Sequence, residues 1–309
     1  MKDYQSLKNA LVNACHRIYN SFPLNVENLI IPNTYDLLKK YIEDNRLSYV
    51  VEECLDGPYK INQWRLESAS YTLTVKSALK LLSGFLGTES WALIKTISSY
   101  PHYTSDIDVL FFKNHVAEGL DLKLSESHLD LDQVGRPFGV NFLDIEIDPQ
   151  YKVSWTNSDD VSLDFILKNL VQSNLDGIKY FQPNAICDVL IRIGHMPFEQ
   201  ATIRLGELLH IYASLKGVNV NEMRAEALRC GWLRTFDSTF SLLNQIHCDL
   251  YGFKIPAYEK YLSKSNASWN FPYPLPYLLM AQGVFEKRAF KKIWGARYIL
   301  RDRLRDFLK

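Results

Sequence analysis

Residues 91–112, WALIKTISSYPHYTSDIDVLFF, carry a strong β-strand signal at both of their ends. Each end is rich in β-branched and aromatic residues, and a turn-forming segment with a proline separates the two. We therefore predict adjacent strands over residues 91–98 and 107–112.

Two acidic residues lie at the start of the second strand, Asp106 directly before it and Asp108 as its second residue. Residues two apart in a strand project from the same face and lie about 7 Å apart along the chain. Two carboxylates so placed repel each other unless a cation lies between them, and hard carboxylate oxygens suit Mg²⁺ or Mn²⁺. The pair therefore predicts a divalent metal site.

A third strand is predicted over residues 140–148, VNFLDIEID, which Pro149 ends. Its acidic residues alternate with apolar ones, so that they share one face of the strand. One more carboxylate would complete a two-metal site of the kind that promotes displacement at phosphorus. Asp144, Glu146 and Asp148 are all candidates for this third ligand.

The remainder of the chain is predicted to be helical and is divided by the strands. Apolar residues recur at helical spacing before and after them. The predicted helices cover residues 5–20, 34–43, 62–83, 161–174, 183–196, 199–216, 220–230, 233–251 and 276–307. We therefore predict an α+β fold with a strand-containing domain over residues 1–158 and a helical C-terminal domain over residues 159–309.

The composition is that of a globular protein and narrows the classes of partner. The 309 residues carry 35 basic and 35 acidic side chains, so net charge gives no argument for binding DNA or an anionic membrane. The five cysteines show no paired metal-ligand spacing and are expected to be reduced thiols. With no long apolar run in the sequence, we expect a soluble, cytoplasmic protein with no membrane partner.

The segment S-D-I-D-V-L and the strand before it resemble the nucleotidyltransferase superfamily, which has a polymerase-beta-like palm. In that family, a Gly-Ser loop precedes an Asp-x-Asp strand. The chain also resembles uncharacterised archaeal- and bacterial-type members that carry Lys-Thr in the first strand, as Lys95-Thr96 does. The resemblance covers roughly residues 88–215.

This resemblance implies a small mixed palm sheet, flanked by N-terminal helices and followed by a helical domain. It implies metal-dependent transfer of a nucleoside monophosphate from a nucleoside triphosphate to an acceptor, with release of pyrophosphate. Asp106, Asp108 and Asp148 would be the catalytic metal ligands, with Glu146 and Asp144 as alternatives for the third position. The acceptor is left open among a small molecule, RNA and protein.

The chain departs from the family at the Gly-Ser loop, which is replaced by residues 95–99, KTISS. Lys95 could contact a phosphate as a point charge, and Thr96, Ser98 and Ser105 could donate hydrogen bonds. The missing glycine also leaves a second hypothesis open. In it, the protein keeps the fold but only binds nucleotide, or acts as the protein-interaction member of an antitoxin-like pair.

Overall fold

The computed structural model describes most of the chain. The described residues are 2–19, 24–87, 89–96, 106–112, 140–142, 145–150, 152–155, 158–253, 255, 267–275 and 279. Almost all of the helix predicted over residues 276–307 lies outside them.

Nine α-helices account for most of the described residues. They are α1 Lys2–Ile18, α2 Tyr35–Asp44, α3 Ser48–Glu53, α4 Asn62–Leu86, α5 Leu163–Lys168, α6 Ala185–His195, α7 Leu205–Ser214, α8 Val220–Arg229 and α9 Leu233–Tyr251. Six predicted helices are confirmed, because an apolar stripe at helical spacing is buried in each. These six were predicted over residues 5–20, 34–43, 62–83, 183–196, 220–230 and 233–251.

The described strands form one four-stranded sheet and several two-stranded ones. They are β1 Trp91–Leu93, β2 Asp106–Phe111, β3 Val140–Phe142, β4 Ile145–Gln150, β5 Val153–Trp155, β6 Ser158–Val161, β7 Leu170–Leu175, β8 Ile178–Pro183, β9 Thr202–Ile203 and β10 Tyr273–Pro274. The larger sheet has the order β1-β2-β4-β3, in which β2 and β4 are parallel and the other pairs are antiparallel. The chain is therefore an α+β protein with a small mixed sheet.

The single strand predicted over residues 140–148 is wrong in its extent. The structure has two antiparallel strands there, β3 and β4, and β4 continues through Pro149 to Gln150. Among the described residues, β3 pairs with residues 145–147 and Pro149 is paired with β2 alone. A strand with a neighbour on one side can carry a residue with no N–H group.

The prediction that the chain from residue 159 onward is helical is also wrong in part. The predicted helix 161–174 is helical only over α5, and β7 follows it and pairs with β8. Asp176 and Gly177 connect these strands with φ angles of 51° and 87°. Two positive φ angles in an Asp-Gly pair make the hairpin turn that fits the twist of antiparallel strands. Similarly, the helix predicted over 199–216 is confined to α7.

Two apolar clusters enclose the sheet. The smaller one packs the middle of α4 against the face of β2 that carries Ile107 and Val109. The larger one combines residues of α1 and α2 with residues of α6, α7 and α9. This larger cluster contains residues from both sides of the boundary predicted between residues 158 and 159. The division into two domains stays a prediction. In the described part of the chain, no helix combines the length and the apolar character needed to cross a membrane.

Candidate active site

Three aspartates lie on one face of the sheet, at its centre. The parallel pairing of β2 with β4 sets Asp108 opposite Asp148, and Asp106 is two residues before Asp108 on the same strand. Register partners in a sheet share a face, as do residues two apart along a strand. The opposite face carries Ile107 and Val109, which are buried against α4. The alternation of the sequence thus separates an acidic face from an apolar one.

The carboxylates are close enough to perturb one another. Burial raises the pKa of Asp148 to about 6, with the Asp108 carboxylate as the second cause. Burial also raises the pKa of Asp106, followed by the repulsion of Asp108, and the charges of Lys95 and Arg46 partly offset these effects. An excess of negative charge that raises carboxylate pKa values is the electrostatic condition under which a cation binds favourably.

Two donors hold the carboxylate of Asp108. The Lys95 ammonium lies 3.1 Å from Asp108 Oδ1. The Gln150 amide nitrogen donates to the same oxygen at 2.6 Å and to Asp148 Oδ2 at 2.8 Å. Gln150 therefore joins the two aspartates that the strand register places opposite each other.

Lys95 is fixed through its backbone. It has a φ of 56°, in the left-handed region that residues with a Cβ rarely adopt. Its carbonyl oxygen accepts a hydrogen bond of 3.0 Å from Arg192 Nη2. Arg192 in turn donates through Nε to Asp188, whose carboxylate also pairs with His210. A buried ion network on α6 and α7 thus fixes the residue that neutralises Asp108.

The pKa of Asp188 indicates how strong this network is. Burial alone acts to raise that pKa, but the Arg192 charge and the hydrogen bond with His210 outweigh it and lower the pKa to about 2. Asp188 is therefore ionised at neutral pH and holds Arg192 in place.

Thr96 holds the strand that carries the acids. Its buried hydroxyl accepts the backbone N–H of Asp108 at 3.0 Å and donates to the carbonyl of Ile94 at 3.1 Å. These contacts bind the end of β1 to the start of β2. The predicted contact of Thr96 with nucleotide stays a prediction, and the described hydrogen bonds of its hydroxyl are all to the protein backbone.

The other predicted residues are placed only in part. Glu146 lies opposite Asp106 in the Cα register. Asp144, Ser98 and Ser105 lie outside the described residues. The structure therefore brings together Lys95 and the three first-choice aspartates, and leaves the alternatives for the third ligand untested.

The three carboxylates suit a metal ion, but the Gln150 amide now binds oxygens of two of them. Among the described residues, no group of three or more His, Cys, Asp or Glu side chains is arranged to hold a metal ion. The donor set itself is suitable, since three hard carboxylates share a face and two of them have raised pKa values. Metal binding would require the Gln150 amide to release the oxygens that it now joins.

Sequence reasoning missed Gln150, Arg192 and Arg46. The sequence prediction ends the strand at Pro149, whereas Gln150 continues the alternation of Glu146 and Asp148 in β4. Arg192 lies 97 residues from Lys95 and Arg46 lies 60 residues from Asp106, so no local pattern connects either arginine to the site.

Comparisons of the chain with protein-family models, with characterised proteins and with solved structures found no match. The assignment of a function therefore rests on the resemblance of the motif and on the geometry of the site.

Proposed function

We propose that this chain is a metal-dependent nucleotidyltransferase that transfers a nucleoside monophosphate from a nucleoside triphosphate to an acceptor. The observation that carries the proposal is the register of β2 and β4, which sets Asp148 opposite Asp108 and beside Asp106. A motif match alone predicts two acids on one strand. The third acid comes from a neighbouring strand, as a palm-type nucleotidyltransferase site requires.

The proposed reaction is an in-line displacement at the α-phosphorus. An acceptor oxygen forms a bond to that phosphorus, the bond to the oxygen between the α- and β-phosphorus breaks, and pyrophosphate leaves with the electron pair. Asp148 accepts the proton of the acceptor hydroxyl. A Mg²⁺ or Mn²⁺ ion, held by Asp106, Asp108 and Asp148, would neutralise the charge on the phosphates.

The test compares the wild-type chain with Asp108→Asn. We expect Mg²⁺ or Mn²⁺ with the preferred nucleoside triphosphate to raise the melting temperature of the wild type, since a ligand of the native state stabilises it. Asp108→Asn should lose this metal-dependent rise and the release of pyrophosphate, while its unliganded melting curve stays cooperative. Exposed Asp56 provides the matched control, and Asp56→Asn should behave as the wild type. Full pyrophosphate release by Asp108→Asn would show the mechanism to be wrong.

A second candidate is a nucleotide-binding protein of the same fold that has lost the chemistry. The observation in its favour is that Lys95 and Gln150 already satisfy Asp108 Oδ1. This candidate predicts that a triphosphate raises the melting temperature equally with and without a metal, and that no pyrophosphate is released with any acceptor offered.

A further inference from the structure

A polar cavity lies between the end of α2, the start of α3 and the first turns of α4. Its volume is about 280 Å³, close to the lower end of the range of small-molecule sites, roughly 300–1,000 Å³. Arg46 lines it together with the hydroxyl-bearing side chains of Ser48 and Ser68. The cavity thus offers a cation and hydrogen-bonding groups.

Arg46 occupies a backbone position that glycine usually takes. It follows Asn45, the C-cap of α2, with a φ of 58°. Its N–H bonds to the carbonyl of Glu43, and the N–H of Leu47 bonds to the carbonyl of Ile42. This pair of bonds is the Schellman motif, in which the left-handed residue is commonly glycine because it has no Cβ. An arginine here accepts a backbone cost that a glycine would avoid.

The two cations near the acids share this conformation. Four described residues other than glycine have a positive φ, and Arg46 and Lys95 are two of them. Strained backbone of this kind concentrates at functional sites, where the side chain has a use that offsets the strain. For Lys95 that use is visible, because its ammonium contacts Asp108.

Arg46 differs from Lys95 in that its side chain makes no direct contact with a carboxylate of a described residue. Its half-buried guanidinium forms no hydrogen bond or ion pair with another described residue. Its charge nevertheless lies near enough to Asp106 to lower the pKa of that carboxyl, against the larger effects of burial and of Asp108. A half-buried, fork-shaped cation next to an acidic site is suited to a phosphate group.

The acids of the cavity are already bonded. The Glu43 carboxylate accepts the indole N–H of Trp64 at 2.8 Å and lies 3.9 Å from the Lys39 ammonium. The Glu67 carboxylate accepts the Gln63 amide at 2.7 Å. The Lys39 ammonium thus offsets part of the repulsion that Glu43 would exert on an anion held by Arg46.

We propose that this cavity is a phosphate-binding subsite, in which the guanidinium of Arg46 holds a phosphate group presented to the aspartates. The phosphate belongs either to the nucleoside triphosphate or to a phosphorylated acceptor. The assignment rests on the proposed nucleotidyltransferase function. It moves the phosphate contact from Lys95, which Asp108 neutralises, to Arg46.

Isothermal titration of the full chain in EDTA, with nucleoside triphosphates, pyrophosphate and inorganic phosphate, tests this subsite. We expect Arg46→Gln to weaken binding of the phosphate-bearing probe by roughly tenfold or more, the loss that follows from removing a charge-assisted hydrogen bond. Exposed Arg65 lies nearby on α4 but outside the cavity wall, so Arg65→Gln makes the same charge change as a control. It should bind as the wild type.

Arg46→Gly keeps the test valid if Arg46→Gln folds poorly. Glycine suits the left-handed position, so the variant should melt no lower than the wild type and still show the same loss of binding. Equal affinities of the wild type, Arg46→Gly and Arg65→Gln for every probe would overturn the subsite.

The probes also separate the two sources of the phosphate. A loss of triphosphate binding in Arg46→Gln assigns the phosphate to the nucleotide. Unchanged triphosphate binding, with lost binding of inorganic phosphate to the chain saturated with triphosphate, assigns it to the acceptor.

The outcomes distinguish this subsite from the proposed function. Phosphate binding that depends on Arg46, without metal-dependent pyrophosphate release, would support the subsite and contradict the transferase. Pyrophosphate release that depends on Asp108, with no effect of Arg46→Gln on affinity or on KM, would support the transferase and contradict the subsite.

Discussion

The pKa of Asp148 is raised where three acids share one face of the sheet. Its pKa of about 6, set first by burial and then by the Asp108 carboxylate, lies above the ordinary value of 3.8. The folded chain therefore binds a proton at a pH where the unfolded chain does not. The stability that this proton contributes is fully present below about pH 4 and is lost as the pH rises through 6.

Asp148→Asn should remove this pH dependence. One pKa unit corresponds to about 1.4 kcal/mol, so in EDTA at pH 7.5 the variant should exceed the wild type by at most about 3 kcal/mol in free energy of unfolding, and by about 1–2 kcal/mol after solvent screening. At pH 4 the difference should vanish. Urea unfolding at both pH values measures it, with exposed Asp56→Asn as the control. A difference between Asp148→Asn and the wild type that is the same at both pH values would contradict the assigned pKa.

The hairpin of β7 and β8 is separate from the four-stranded sheet but packs against it. Tyr180 of β8 is buried in the smaller apolar cluster with Val109 of β2, behind the acidic face. Lys76 of α4 forms an ion pair with Asp176 at the tip of the hairpin. The turn at Asp176-Gly177 therefore sets the position of a strand that contributes to the core beneath the site.

Gly177→Ala should destabilise the protein through the turn alone. A Cβ at a φ of 87° lowers the free energy of unfolding by about 1–2 kcal/mol. The lower flexibility of alanine in the unfolded chain offsets part of this loss. We expect a net loss of about 1 kcal/mol, measured as a lower urea midpoint. Gly57, with open space around it and no positive φ, is the control position, and Gly57→Ala should change the midpoint little. Equal midpoints for the two variants would show that the turn is not under this constraint.

The buried side-chain amide of Asn45 is one of the groups that join the N-terminal helices to the second half of the chain. Asn45 donates to the carbonyl of Phe271 at 3.2 Å and accepts the N–H of Leu205, the first residue of α7, at 2.8 Å. Its backbone carbonyl accepts the N–H of Gly206. Because the larger apolar cluster also spans these helices, we expect both halves of the chain to unfold together.

Asn45→Ala tests this connection. The substitution removes the hydrogen-bond partners of the Leu205 N–H and the Phe271 carbonyl. Each buried group left without a partner lowers the free energy of unfolding by about 1–3 kcal/mol. We expect a single calorimetric transition at a lower temperature, with exposed Asn9→Ala close to the wild type. Two separate transitions in the wild type would instead support independent domains divided near residue 158.

The positions of the helices and the two-acid strand were predictable because their signals are local. A stripe at a period of 3.6 residues marks a helix wherever that face is buried, and a period of two fixes which residues share a face of a strand. The Asp176-Gly177 turn was also in the sequence, and its hairpin was missed because the apolar residues nearby were assigned to a helix.

The amino-acid sequence alone determined that Asp106 and Asp108 share a face opposite Ile107 and Val109. Only the tertiary structure decided that Asp148 lies opposite Asp108, that Gln150 joins them, and that the charge of Arg46 reaches Asp106. The reason is physical. Side-chain periodicity fixes a direction within one element, whereas partners on different elements are selected by packing and strand register, which depend on residues far apart in the chain.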